Sequence, residues 1–204
     1  MEKTILQVGP YGVNCTIFEI GGKTFIVDPG HDAERIISAA TAGGRSPAGI
    51  LLTHAHFDHV GGVPGATAAF PGIPVCLGEK DFPVLTHPMN QLPPDYPPID
   101  RPDNLKPAKY AEELVEGLKV IETPGHTPGG VCYYLPGEKL LFSGDTLFAG
   151  SVGRTDFPGG DMPTLVESLR KLVDLPDDTV VIPGHGPRTT IGEEKRENPY
   201  LLRR

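Results

Sequence analysis

Residues 53–59 read Thr53-His54-Ala55-His56-Phe57-Asp58-His59. The whole chain of 204 residues has only 7 His, and three of them stand here beside an aspartate. From the chain's own usage, the spacing H-x-H-x-D-H arises by chance roughly once in 2,000 such sequences, so it demands a chemical reason. The residues just before it, 50–53, read as a short apolar strand. A chain leaving a strand in extended form sends side chains i and i+2 to one side, so His54 and His56 converge on one point. Asp58 and His59 open the next turn and face a second point close by. Neutral imidazoles with a carboxylate are a ligand set for zinc, iron or manganese in a catalytic centre.

A second ion needs further ligands, expected after other strands at the same sheet edge. Three residues qualify. His126 stands in Pro124-Gly125-His126-Thr127-Pro128-Gly129, after a strand ending near Thr123. Asp145 follows the run 140–143, and His185 follows the run 180–182. Each has a glycine beside it, as functional loops at strand ends commonly do. Asp28 closes another β-branched run in Asp28-Pro29-Gly30, either as a turn residue or as support for the histidine loop.

Outward from these motifs, residues 5–8, 16–20, 24–27 and 74–77 also read as strands. Helical spacing predicts helices over 32–42, 60–70 and 163–175. Hairpins are predicted for 113–115 with 118–122 and for 131–135 with 139–142. Residues 81–107 hold the proline-rich run Pro93-Pro94-Asp95-Tyr96-Pro97-Pro98 and read as an irregular surface excursion. Strands dominate both halves, helices accompany each, and no linker intervenes. The expectation is an α/β fold in one domain over residues 1–204.

Composition narrows the function classes. A formal charge of −8 without any basic stripe excludes a nucleic-acid binder. No apolar run approaches the roughly 20 residues of a membrane span, so no membrane partner is expected. Gly 26 and Pro 23 imply many tight turns and loops. Cys15, Cys76 and Cys132 lie far apart in apolar runs without C-x-x-C spacing, and read as buried free thiols of a reducing cytoplasm.

The ordered set THxHxDH, His126, Asp145, His185 resembles the metallo-β-lactamase superfamily over residues 53–185. That resemblance implies an αββα four-layer sandwich with two divalent metal ions per chain, zinc or else iron or manganese, at one edge of its two sheets. It implies His54, His56 and His126 on the first ion, Asp58, His59 and His185 on the second, and Asp145 bridging, with Asp58 and Asp145 the catalytic carboxylates. The branch it most resembles is the short, single-domain type of glyoxalase II (hydroxyacylglutathione hydrolase). Val13-Asn14-Cys15, residues 124–129, the loop 150–161, residues 183–187 and Ile191-Gly192-Glu193-Glu194 carry that likeness. It implies a small-molecule thioester substrate such as S-lactoylglutathione, cleaved by a metal-bridging hydroxide. A thiol of pKa about 8.5 leaves without a strong general acid, which suits a chain offering no spare acid beside the ligands.

Larger glyoxalase II enzymes hold glutathione partly with a helical carboxy-terminal domain, whereas 19 residues follow His185 here. Arg154, the only cation of loop 150–161, is therefore the candidate substrate-binding residue for a glutathione carboxylate. The alternative is that it pairs with Asp156 or Asp161 and stiffens the loop. Residues 153–157 also resemble persulfide dioxygenases, which hold one iron with two His and one Asp. The second set Asp58, His59 and His185 favours the hydrolase; a hydrolase of another small ester or lactone is the remaining reading. His31 and His87 read as loop histidines outside the set, and Asn14 either nears the site or shapes a turn.

Overall fold

The β-branched runs of the first half build one sheet, with strands in the order β1 (Glu2–Val8), β2 (Val13–Ile20), β3 (Lys23–Val27), β4 (Pro47–Leu51), β5 (Val75–Leu77) and β6 (Leu105–Pro107). The pairs β1–β2 and β2–β3 are antiparallel, and the pairs from β3 to β6 are parallel. The second half supplies β7 (Lys119–Glu122), β8 (Val131–Leu135), β9 (Leu140–Gly144), a short ribbon of β10 (Leu147–Phe148) and β11 (Ser151–Val152), then β12 (Val180–Pro183) and β13 (Thr189–Thr190). Its sheet runs β13-β12-β9-β8-β7. This computed structural model describes residues 1–87, 90 and 99–202.

Alternation along β8 shows how the layers form. Val131, Tyr133 and Leu135 face the first sheet, packing with Phe18, Phe25, Val27, Leu51 and Phe142 in the inter-sheet core. Cys132 and Tyr134 point the other way, onto helix α6. The period of two therefore builds two cores from one strand. Phe18 and Phe142 stack across the sheets at 5.4 Å, worth about 0.5–1.5 kcal/mol beyond their burial.

The helices cover the outer faces. From the first half come α1 (Ala33–Thr41), α2 (Phe57–Val60), α3 (Val63–Ala69) and α4 (Phe82–Leu85); Ile36, Ala40, Val63, Ala66 and Leu85 pack on the outer face of the first sheet. The second half adds α5 (Ala111–Leu114), α6 (Met162–Val173), α7 (Ile191–Glu197) and α8 (Pro199–Leu202). Leu165, Leu169 and Leu172 of α6, with Ile191, cover the second sheet. Asp161 caps α6 by accepting the Thr164 amide at 2.8 Å. The result is the αββα sandwich.

Three local expectations need correction. Residues 113–115 are not a hairpin arm: Ala111–Leu114 is a helical turn, as its Ala, Glu and Leu favour, and β7 pairs instead with β8. The helix expected over 60–70 breaks at Gly61-Gly62, where a Cβ would meet the carbonyl oxygens of Gly30 and Pro29. The excursion 81–107 begins with buried Asp81 and Leu85 and ends in strand β6, paired with β5. Its proline-rich run 93–98 lies outside the described residues.

Candidate metal centre

Strand ends at one edge of both sheets deliver the polar groups. The chain leaves β4 into residues 53–59, β9 into Asp145 and β12 into His185. Because β9 and β12 are parallel, with Pro183 opposite Gly144, Asp145 and His185 emerge side by side. The Val131 amide donates to Thr53 O at 2.8 Å and ties the second sheet to the histidine loop. Gly184 is required here, since a Cβ would run into Asp145 Oδ1 and His59 Cε1. Gly30 is required for the same reason: its Cβ would overlap the Asp58 carbonyl.

The side chains converge in three groups whose ligand atoms lie within 4.8 Å of one another: His54, His56 and His126; His54, His59 and Asp145; Asp58, His59 and His185. His56 Nδ1 stands 2.8 Å from His126 Nε2, and His59 Nε2 stands 3.3 Å from His185 Nε2. Asp58 Oδ2 lies 3.2 Å from His185 Nε2. Asp145 sits between the groups, with Oδ2 3.6 Å from both His126 Nε2 and His185 Nε2, and Oδ1 3.4 Å from His59 Nε2. All seven residues from the sequence are thus brought together.

Four of the five imidazoles are held through their other nitrogen. Thr53 Oγ1 donates to Asp28 Oδ2 at 2.7 Å and so is free to accept His54 Nδ1–H at 3.1 Å. His59 Nδ1 donates to Asp28 Oδ2 at 3.0 Å, His126 Nδ1 to the Arg154 carbonyl at 2.6 Å, and His185 Nδ1 to the Tyr11 carbonyl at 3.0 Å. Each of these contacts puts the proton on Nδ1 and aims the Nε2 lone pair at the cluster, as metal-ligating histidines are held. The donor set fits a metal in a second respect: His54 Nε2 and Asp145 Oδ1 are buried without a hydrogen-bond partner.

The cluster's electrostatics follow from crowding. Burial pushes His54 well below the usual imidazole value, and burial with the neighbouring His126 pushes His56 down to about 3. Burial would also lower His59, but Asp145, Asp58 and Asp28 outweigh it and hold its pKa well above normal. Asp145 is buried too, yet His59, His126 and His185 keep it well below the ordinary carboxylate range. Ionised Asp58 and Asp145 beside neutral His54 and His56 match the states that metal binding requires, whereas His59 takes up a proton among its three carboxylates and would have to release it to a metal.

Several supporting residues were ambiguous or invisible in the sequence. Asp28 proves to be a support, accepting the Thr53 amide at 2.8 Å as well as the Thr53 hydroxyl and His59. Its backbone is left-handed at φ 47°, a strain tolerated where surrounding contacts over-determine the geometry. Asn14 is near the site: its Nδ2 donates to the carbonyls of Pro183 and Gly186 at 3.0 and 2.9 Å, bracketing His185. Asp81 was missed. Its Oδ2 accepts from the Ala55 amide and Thr127 Oγ1, and its Oδ1 accepts from the Gly129 amide, joining the His54–His56 loop to the His126 loop. Burial pushes this carboxyl up, against the pull of those three donors. Asn90 was missed as well; it donates to the Ala55 carbonyl at 2.6 Å and accepts the Phe57 amide at 2.9 Å. Arg154 forms a two-pronged pair with Asp156 at 2.7 and 2.6 Å and stands 3.9 Å over the Phe157 ring.

The family model of the metallo-β-lactamase superfamily matches residues 8–185. The hydroxyacylglutathione hydrolase GloC of Haemophilus influenzae is 38% identical over 213 residues, covering 98% of each chain. The crystal structure of BLEG-1 B3 metallo-β-lactamase superposes with a TM-score of 0.87 at 38% identity, covering 98% of this chain and 100% of that one. TTHA1623, solved in a di-iron-bound form, gives 0.86 at 40% identity, covering 97% and 100%.

Proposed function

The chain belongs to the metallo-β-lactamase superfamily as a metallo-hydrolase, and from that premise we propose that it cleaves S-acyl thioesters, S-acyl-glutathiones among them. One observation carries the reading: seven candidate ligand side chains converge in three overlapping groups, with Asp145 Oδ2 3.6 Å from both His126 Nε2 and His185 Nε2. In this reading His54, His56 and His126 would hold one divalent ion and Asp58, His59 and His185 another, with Asp145 within reach of both. Zinc and iron both suit the donors, and iron gains support from the di-iron relative. Such ions supply Lewis-acid polarisation of a carbonyl and a water acidic enough to react near neutral pH.

The chain's own residues do the rest. Asp28, the Arg154 carbonyl and the Tyr11 carbonyl fix the tautomers of His59, His126 and His185. Asp81 and Asn90 fix the loops that carry the first set. The described residues of the centre offer no additional acid to protonate a poor leaving group, which favours a thiolate over an amine. Arg154 serves a carboxylate on the thiol arm by exchanging it for Asp156, its present partner. The likeness to hydroxyacylglutathione hydrolase supports a glutathione-derived substrate.

The test is metal analysis with parallel assays on S-lactoylglutathione, glutathione persulfide and a chromogenic β-lactam. Thioester hydrolysis with two metal equivalents is expected. Saturation at one iron with oxygen uptake on the persulfide would replace the reading with a dioxygenase, and turnover of the β-lactam alone would replace it with a lactamase.

A further inference from the structure

Beside His56 opens a cleft of about 430 Å³. Its aromatic walls are Phe57 and Phe157; Val84 and the prolines Pro83, Pro128 and Pro158 supply the rest of the apolar lining. The polar lining is His56, His87, Asn90 and Asp156, and the last two are engaged with neighbours. Asn90 spends its amide on the Ala55 carbonyl and the Phe57 amide, and Asp156 is forked onto Arg154, which holds its carboxyl down to about 2. No Lys or Arg stands among the described lining residues.

An anionic arm entering this cleft would shed hydration and meet no Lys or Arg among the described lining residues in return, a costly exchange. An uncharged apolar arm would lose nothing polar and bury its surface against walls that proline keeps in place. The volume falls in the range of small-molecule pockets, well beyond the needs of an acetyl group. We propose that the cleft is the acyl subsite and that it takes an uncharged, apolar acyl chain, with the scissile carbonyl at the His56 end. This rests on the thioesterase reading above and names the acyl class that reading leaves open. The thiol arm then lies outside the cleft, where Arg154, which is not one of its lining residues, stacks on Phe157.

The experiment uses the metal-loaded enzyme with thioesters of one neutral thiol, N-acetylcysteamine, from acetyl to octanoyl, and with the glutaryl thioester as anionic counterpart of pentanoyl. We expect kcat/KM to climb about fourfold per added methylene until the cleft is full, matching the burial of one CH₂ each time. Glutaryl should fall at least tenfold below pentanoyl. Val84→Asp and Phe157→Ala should flatten the slope, with metal content and circular dichroism confirming that each variant folds. A series of S-alkyl N-acetylcysteamine thioethers, which cannot be hydrolysed, should show the same dependence in calorimetric affinity. Hydrolysis with no dependence on chain length, or glutaryl equal to pentanoyl, would overturn the acyl-subsite proposal and leave the thioesterase standing. A sloped thioether series with no thioester hydrolysis would overturn the thioesterase and, with it, the acyl assignment. A flat thioether series would overturn the apolar cleft itself.

Discussion

Asp81 holds two ligand loops with one carboxylate, so Asp81→Asn is an informative perturbation. The asparagine keeps the size and one carbonyl oxygen. With that oxygen on the Gly129 amide, now bonded at 2.6 Å, the new NH₂ stands where Oδ2 accepted the Ala55 amide at 3.0 Å. Thr127 Oγ1 can rotate to accept from the NH₂, but the Ala55 N–H then faces another donor. One buried, unpaired donor costs about 1–3 kcal/mol. Flipping the amide only transfers the loss to Gly129. Removing a carboxylate that burial already disfavours offsets part of this, which places the net cost in the lower half of that range. At roughly 2–4 °C per kcal/mol for a chain of this size, Tm should fall by about 2–8 °C. The larger effect should be on metal binding, because Ala55 lies between His54 and His56 while Thr127 follows His126. Loss of an outer hydrogen-bond partner of this kind weakens a metal site by about 10–100-fold. Competition against a chromophoric chelator would read the first equivalent, with calorimetry for Tm. If Asp81→Asn binds both equivalents with unchanged affinity, the carboxylate does not set the geometry of the loops.

Asp145→Ala should lower kcat/KM more than any other single ligand change, since in the proposed arrangement it alone would touch both ions; near-normal turnover with two bound metals would rule out a bridging role. His185→Ala should cost one metal equivalent while largely sparing the other, read by elemental analysis. Arg154→Ala should raise KM for S-lactoylglutathione about tenfold with kcat little changed and spare a small neutral thioester; equal loss on both would confine Arg154 to holding the loop through Asp156. Burial pushes Cys76 up to about 12 and Cys132 to about 11. Both thiols should therefore resist alkylation at pH 8 until the chain unfolds. They stay protonated in the folded chain where unfolded thiols ionise, so their contribution is complete below about pH 9 and declines by at most about 1.4 kcal/mol per pH unit per thiol as pH rises toward 11. Stability unchanged across pH 9–11 would contradict that burial.

The candidate ligands of residues 54–59 were legible in the sequence because their geometry is local. His54 and His56 converge through the period of two at a strand end, and Asp58 and His59 open the very next turn. The β-branched runs likewise announced most strands, and the glycines beside His126, Asp145 and His185 marked the loops. Strand pairing was less legible: the short run 118–122 has the same pattern whichever partner it takes, and packing gave it β8. Which atoms hold these side chains was decided by tertiary structure, which also settled the open alternatives for Asp28 and Asn14. Asp28 reaches His59 across 31 residues, and Asp81 reaches Gly129 across 48. The acceptors for His126 and His185 are the backbone carbonyls of Arg154 and Tyr11, and every residue type carries the same carbonyl. A residue's side chain can signal a ligand, but which carbonyl lies 3 Å from an imidazole, and which carboxylate is stripped of water, depends on how distant segments pack.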